Sequence, residues 1–376
     1  MVLAVFLAAL MAGPAEPAEL PRGQIVADVQ CAGDATQSYA LYLPSGYTPD
    51  HEWPVIFAFD PGGRGLNPVE RYRAAAEKYG YIVAGSNNSR NGSWDETKVA
   101  VAAMTRDVAT RFAVAQNREY VAGMSGGARV ALGVGLSSAG IAGVFASSAG
   151  YPDNKLRTEL PFPVFETAGT EDFNYIEMRE MDRELKTPHR LAIFDGGHVW
   201  LSSDLAMEAV EWMEIQAMKS GRKPRDQAEV DAIYAARIAR VPMGSSDYAG
   251  VSAIVEDFTG LEDVTRFSAR VAELKADKSV RDELKKELDL ETKERLTDQV
   301  IQGEGALLLD SASRAGALKQ LRQRWKTLSE TAKGDADTPD RRMARRVLSG
   351  LSMSVTTQDP EYLAIIQENR MARAGR

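Results

Sequence analysis

The chain is short of the residues on which disulfide and thiol chemistry depend. One cysteine, Cys31, stands in 376 residues, so no internal disulfide forms. No cationic side chain lies beside it in residues 29–33 to favour a thiolate, which predicts an inert, packed thiol. Histidine is nearly as scarce. Any step that needs an imidazole must draw on His51, His189 or His198. Basic charge is not in excess: the net charge of -8 argues against nucleic acid as the main partner. Beyond the first dozen residues no apolar run approaches membrane length, so no span is expected in the mature chain.

What is present is an ordinary globular composition, 44% hydrophobic and 26% charged, enough for a core that needs no metal or disulfide to hold it. Residues 1–12 are apolar, and small residues and turn formers follow to residue 18. That pattern resembles a secretory signal peptide, although no Lys or Arg precedes the apolar run, and it predicts a secreted or periplasmic protein.

From residue 38 to 219 strand-like and helix-like segments alternate. Apolar runs at 54–59, 81–84, 141–146, 162–167 and 190–194 read as buried strands. Helical patterns at 69–79, 98–112, 175–185 and 204–218 separate them or follow them. This alternation predicts an α/β fold, a mostly parallel sheet covered by helices on both faces, over residues 24–220. Residues 219–226 turn basic and turn-rich, as a linker would. Beyond them strand signals vanish, which predicts an all-helical region over 221–376, with degenerate helical repeats as one reading. Within it, Val280, Leu284, Leu288, Leu296 and Val300 are spaced by multiples of four. Such a stripe drifts around a straight helix, so a bend or break is expected there.

The motif that organises the chemistry is Gly123-Met124-Ser125-Gly126-Gly127, between an apolar strand and a helical run. A strand, a sharp serine turn and a helix make the G-x-S-x-G nucleophile elbow. A serine hydroxyl needs a base, and the base needs an acid to orient it. His198 follows the last strand after Gly196-Gly197, at the carboxyl edge of the sheet where ligands bind, and is the expected base. His51 reads as a solvated loop residue and His189 as structural. Among the acids, Asp172 after the 162–167 strand is preferred on its Gly-x-x-Asp spacing, Glu171 is second, and Asp195 reads as a turn former. The order Ser125, Asp172, His198 is that of the α/β-hydrolases.

An oxyanion needs N–H donors. Gly126, after the serine, is one candidate. The loop Asp60-Pro61-Gly62-Gly63-Arg64-Gly65 offers Gly62 or Gly63 as the second, and it lacks the lysine a phosphate loop would carry. The polar loop at 86–94 lies on the same edge, where Asn88, Arg90 and Trp94, with Arg64, Met124 and Trp200, are candidate substrate contacts. A plain Asn/Gly turn and a packed Trp200 are the alternatives.

Residues from about 39 to 218 resemble the α/β-hydrolase superfamily, nearest to the polyhydroxybutyrate depolymerase, feruloyl esterase and dienelactone hydrolase group of esterases. The resemblance is carried by Tyr42-Leu43-Pro44-Ser45-Gly46-Tyr47, the Asp60 to Gly65 loop, Gly123 to Gly127, Asp172 and His198. It departs in having no disulfide and in Asp-Pro-Gly-Gly where His-Gly-Gly is more familiar. The resemblance implies a serine carboxylic ester hydrolase acting through a Ser125–His198–Asp172 triad, with no cofactor and no metal. A peptidase on the same triad, and a scaffold whose helical region binds a protein partner, are the alternatives. Residues 149–161 are loop-sized, which predicts no large cap and an open site for bulky or polymer-attached esters.

Overall fold

In the computed structural model the continuous apolar runs become strands buried at every residue: β3 (Trp53–Phe59), β4 (Ile82–Ser86), β6 (Ile141–Ser147) and β7 (Val164–Gly169). Burial along the whole strand is what two covered faces require. The structure describes residues 20–241, 245–334, 337–353 and 359–374; the segment read as an export signal lies outside them. With β1 (Ile25–Cys31), β2 (Asp34–Tyr42), β5 (Val114–Met124) and β8 (His189–Phe194) the strands form one sheet in the order β1-β2-β4-β3-β5-β6-β7-β8. β1 and β2 pair antiparallel, β2 lies antiparallel on β4, and β3 to β8 run parallel. This is the α/β-hydrolase arrangement, and its strand order reverses between β3 and β5, where a crevice opens at the strand ends.

Helices α1 (Leu66–Tyr79) and α5 (Ser203–Lys219) pack on one face through Val69, Tyr72, Val210, Trp212 and Met213. Helices α2 (Trp94–Arg111), α3 (Gly126–Ser137) and α4 (Tyr175–Glu184) cover the other through Met104, Val108, Val130, Leu132 and Met181. Cys31 belongs to this second layer, and burial, with Asp107 adding to it, pushes its thiol up to about 11, so it stays protonated. No helix interrupts the chain between β6 and β7. None of the described helices is long and apolar enough to cross a membrane.

The end of α5 carries a third apolar cluster, apart from the two that flank the sheet. Helices α6 (Gln227–Arg240), α7 (Tyr248–Phe258) and α8 (Thr265–Ala276) continue the α5 layer, with Ile215 and Met218 packed among Val230, Ile233, Ile254, Phe258 and Phe267. A separate core begins within α9 (Lys278–Ala306). There Ile301 joins Leu321 and Trp325 of α10 (Arg314–Thr331), Val347 of α11 (Pro339–Met353) and Ile365 of α12 (Pro360–Ala374). The expected break in α9 is absent: it is one continuous helix of 29 residues. Leu284, Leu288, Leu296 and Val300 are exposed, while Glu291, Glu294 and Ile301 turn inward. The inward face is chosen by arginines: Glu291 pairs with Arg179 and Arg183 of α4, and Glu294 with Arg346 of α11.

Candidate active site

The G-x-S-x-G glycines are there because backbone meets backbone. A Cβ on Gly123 would lie 2.0 Å from the Gly127 carbonyl oxygen, and one on Gly127 would lie 1.9 Å from that of Phe59. Between them Ser125 sits at φ 55, ψ -124, a strained conformation for a residue with a side chain. Strain of this kind costs about 1–3 kcal/mol and persists only where the surroundings impose it. Here the Ser125 N–H donates to Ser147 O at 2.8 Å, and its carbonyl accepts from the N–H groups of Ala128 and Arg129. The turn holds the hydroxyl out at the carboxyl end of β5.

Asp172 lies just past β7, in a turn closed by its own N–H on Gly169 O at 3.0 Å. The Glu171 N–H donates to Gly196 O at 2.8 Å, tying this turn to the glycine loop after β8. Asp172 is fully buried. Its Oδ1 accepts from the Asn174 N–H at 2.8 Å and lies 2.8 Å from His198 Nδ1. His198 Nε2 is 2.8 Å from Ser125 Oγ. An ionised carboxylate only accepts, so Nδ1 carries the proton, Nε2 is the acceptor and the serine hydroxyl donates to it. The three residues read from sequence are thus brought together in one hydrogen-bonded line. The imidazole also stacks on Phe173, centroids 3.9 Å apart, a contact the sequence reading missed although the ring adjoins Asp172 in the chain.

The other candidates are engaged elsewhere. Glu171 pairs with Arg345 at 2.7 Å, and Asp195 accepts from Thr170 Oγ1 at 3.2 Å within the turn. His51 is exposed and lies against Trp53, while His189 Nδ1 is 2.7 Å from Thr187 O. Among the described residues no group of three or more His, Cys, Asp or Glu is arranged to hold a metal ion.

The loop after β3 departs from expectation. Buried Asp60 gathers it: the carboxylate accepts from the Gly62 N–H at 2.8 Å, Arg64 Nε at 3.0 Å, Asn67 Nδ2 at 3.1 Å and Trp200 Nε1 at 2.8 Å. Burial works to raise its pKa, but these donors outweigh burial and hold it below its ordinary value. The Gly63 N–H, at φ +68, donates to Asp60 O at 3.0 Å. Both N–H groups expected to face an oxyanion are therefore bound inside their own loop. The Gly126 N–H heads α3, where helix geometry provides no intrahelical acceptor and the helix dipole favours negative charge.

Trp200 is buried and joins the His198 loop to Asp60 rather than lining a cleft. Asn88 is fixed to β2, accepting from the Ser38 N–H at 2.8 Å and donating to Thr36 O at 3.1 Å, so it is a structural tie. Met124 is buried behind the elbow. Arg64 and Trp94 are exposed, and the Arg90 backbone bridges to Gly62.

Helix α11 covers the acid side of the site. Arg346 Nη1 donates to Thr170 O at 2.7 Å, its guanidinium lies over the Tyr175 ring, and a Cβ on Gly350 would lie 3.3 Å from Phe173 Cβ. A cleft of about 1350 Å³ runs between β8 and helices α7 and α9, and its lining includes neither Ser125 nor His198.

No protein-family model matches the chain, and no curated protein does. Among solved structures it is similar to S-formylglutathione hydrolase FrmB from Staphylococcus aureus, at 14% identity over 47% of this chain and 92% of that one, with a TM-score of 0.38. A ferulic acid esterase is similar at 14% identity over 50% and 97%, TM-score 0.42. Thermogutta terrifontis esterase 2 phosphonylated by sarin is similar at 14% identity over 55% and 98%, TM-score 0.41. Strand order and crossovers, rather than these likenesses, define the fold.

Proposed function

We propose that the protein is a serine esterase. The observation that carries this reading is the unbroken Asp172–His198–Ser125 line, at 2.8 Å for each link, ending on a serine in a strained turn. Ser125 Oγ attacks the ester carbonyl as its proton passes to His198 Nε2. Buried Asp172 fixes the tautomer and stabilises the imidazolium. The Gly126 N–H faces the charge that develops on the carbonyl oxygen. The imidazolium then protonates the departing alkoxide, and water, deprotonated by the same imidazole, releases the acyl group. The uninterrupted β6–β7 connection supports an open site, and hence bulky or polymer-attached esters. Export to a secreted or periplasmic location goes with such substrates.

A fluorophosphonate probe should label the wild type and not Ser125→Ala. That variant should lose kcat on p-nitrophenyl esters by about 10⁴-fold or more. A wild type that resists the probe and turns over no ester refutes the reading. Faster turnover of peptides than of esters would move it to a peptidase on the same three residues.

A further inference from the structure

A tetrahedral oxyanion is held by donors aimed at the place where its charge appears, and one donor, the Gly126 N–H, is in hand. The loop after β3 does not offer the second: Pro61 has no N–H, Gly62 donates to Asp60 Oδ1 and Gly63 to Asp60 O. Another group reaches the elbow. The β4–α2 loop folds back along the β3–α1 loop, with Gly62 and Arg90 in an antiparallel bridge and the Asn91 N–H donating to Pro61 O at 2.8 Å. This pairing delivers the Asn91 side chain onto Gly126. A Cβ on Gly126 would lie 1.7 Å from Asn91 Oδ1 and 3.3 Å from Nδ2. The position after the serine is open to any residue in G-x-S-x-G; in this chain Asn91 makes it glycine. Asn91 is exposed, and its amide has no hydrogen-bond partner among the described residues.

We infer that Asn91 is a catalytic residue of the acyl transfer proposed above, a reading on which this assignment rests. A half-turn about the Cβ–Cγ bond exchanges the two ends of the amide within the same volume and turns Nδ2–H, a donor, toward Gly126 in place of Oδ1. The side-chain amide and the backbone N–H then form the oxyanion site, with Asn91 held in register by Pro61.

The test uses the full chain with p-nitrophenyl butyrate as substrate and a trifluoromethyl ketone as the analogue of the tetrahedral state. Asn91→Ala should lower kcat by about 10²–10³-fold, the usual cost of one oxyanion donor, with KM within about threefold of wild type. Asn91→Asp, nearly the same shape but with no donor at neutral pH, should fall at least as far. Ketone affinity should weaken in parallel with kcat/KM, which a merely structural role would not produce. A kcat for Asn91→Ala within about threefold of wild type overturns the assignment. Loss of kcat with unchanged ketone affinity overturns it as well. A wild type with neither turnover nor probe labelling at Ser125 overturns the esterase reading itself, and Asn91 falls with it.

Discussion

Helices α6–α8 meet the sheet domain through an apolar seam, with Ile215 and Met218 of α5 packed among Val230, Ile254 and Phe258. Helices α9–α12 meet it through charge: Arg179 and Arg183 on Glu291, Arg295 on Glu180, Arg345 on Glu171, and Arg346 on the Thr170 carbonyl. An apolar seam gains from water leaving it, whereas ion pairs weaken as salt rises, the half-buried ones more than those on buried Glu291 and Glu294. The bundle also has its own core around Trp325, so it can hold together while its grip on the sheet domain changes. That grip falls on the turn carrying Asp172. The apolar piece thus packs on the end of α5, and the ionic piece bears on the acid of the site.

The comparison breaks most visibly at the seam. Phe258 is 1% exposed, and Phe258→Ala should cost about 3–5 kcal/mol in urea unfolding and take the sheet domain down with α7. A loss confined to the C-terminal helices would show that α6–α8 are not part of that domain. Next comes Arg346→Ala, which leaves buried Glu294 without its guanidinium and the Thr170 carbonyl without its donor. About 3 kcal/mol should be lost, together with kcat, as the Asp172 turn loosens. Arg346→Lys should not restore either, because a point charge does not reproduce the two-pronged contact.

Buried carboxyls sharpen the contrast. Glu291 and Glu294 have arginines, while Glu166 of β7 is fully buried with neither oxygen hydrogen-bonded among the described residues. Burial, with Asp182 adding to it, pushes its pKa well up. The unfolded chain releases this proton above its ordinary pKa and the fold retains it, so wild-type stability falls as pH rises through that window. Glu166→Gln lacks the titration and should gain on wild type by up to about 1.4 kcal/mol between pH 5 and 6. Equal slopes would show that Glu166 ionises in the fold as it does outside it. The smallest effect is at Arg345→Ala, a half-buried pair worth about 1 kcal/mol or less that should shrink toward 1 M salt.

Much of this was legible in the sequence for a physical reason. Strands covered on both faces must be continuously apolar, so β3, β4, β6 and β7 announce themselves. Ser125, Asp172 and His198 each follow a strand, and glycines mark the close approaches at Gly123 and Gly127. What was not legible depends on contacts between distant segments. Gly62 and Gly63 look free until Asp60 is seen to take the first into its carboxylate and the second into its carbonyl. Asn91 reads as a turn residue until its loop is seen lying on Pro61. The spacing of the α9 leucines suggests a bend or break, on the premise that an apolar stripe stays against a partner, but the surface this helix meets carries arginines and the leucines stay exposed. The bounds of α6 were not legible beside the basic, turn-rich residues before it, since it commits only Val230, Ile233 and Arg237 to burial.

The most direct test of the central claim is to quench the wild type during p-nitrophenyl acetate turnover and map the acylated peptide by mass spectrometry. The geometry predicts one acetyl group, on Ser125, absent in Ser125→Ala. Acetylation that survives in Ser125→Ala, or turnover in which Ser125 never carries the acyl group, would contradict it.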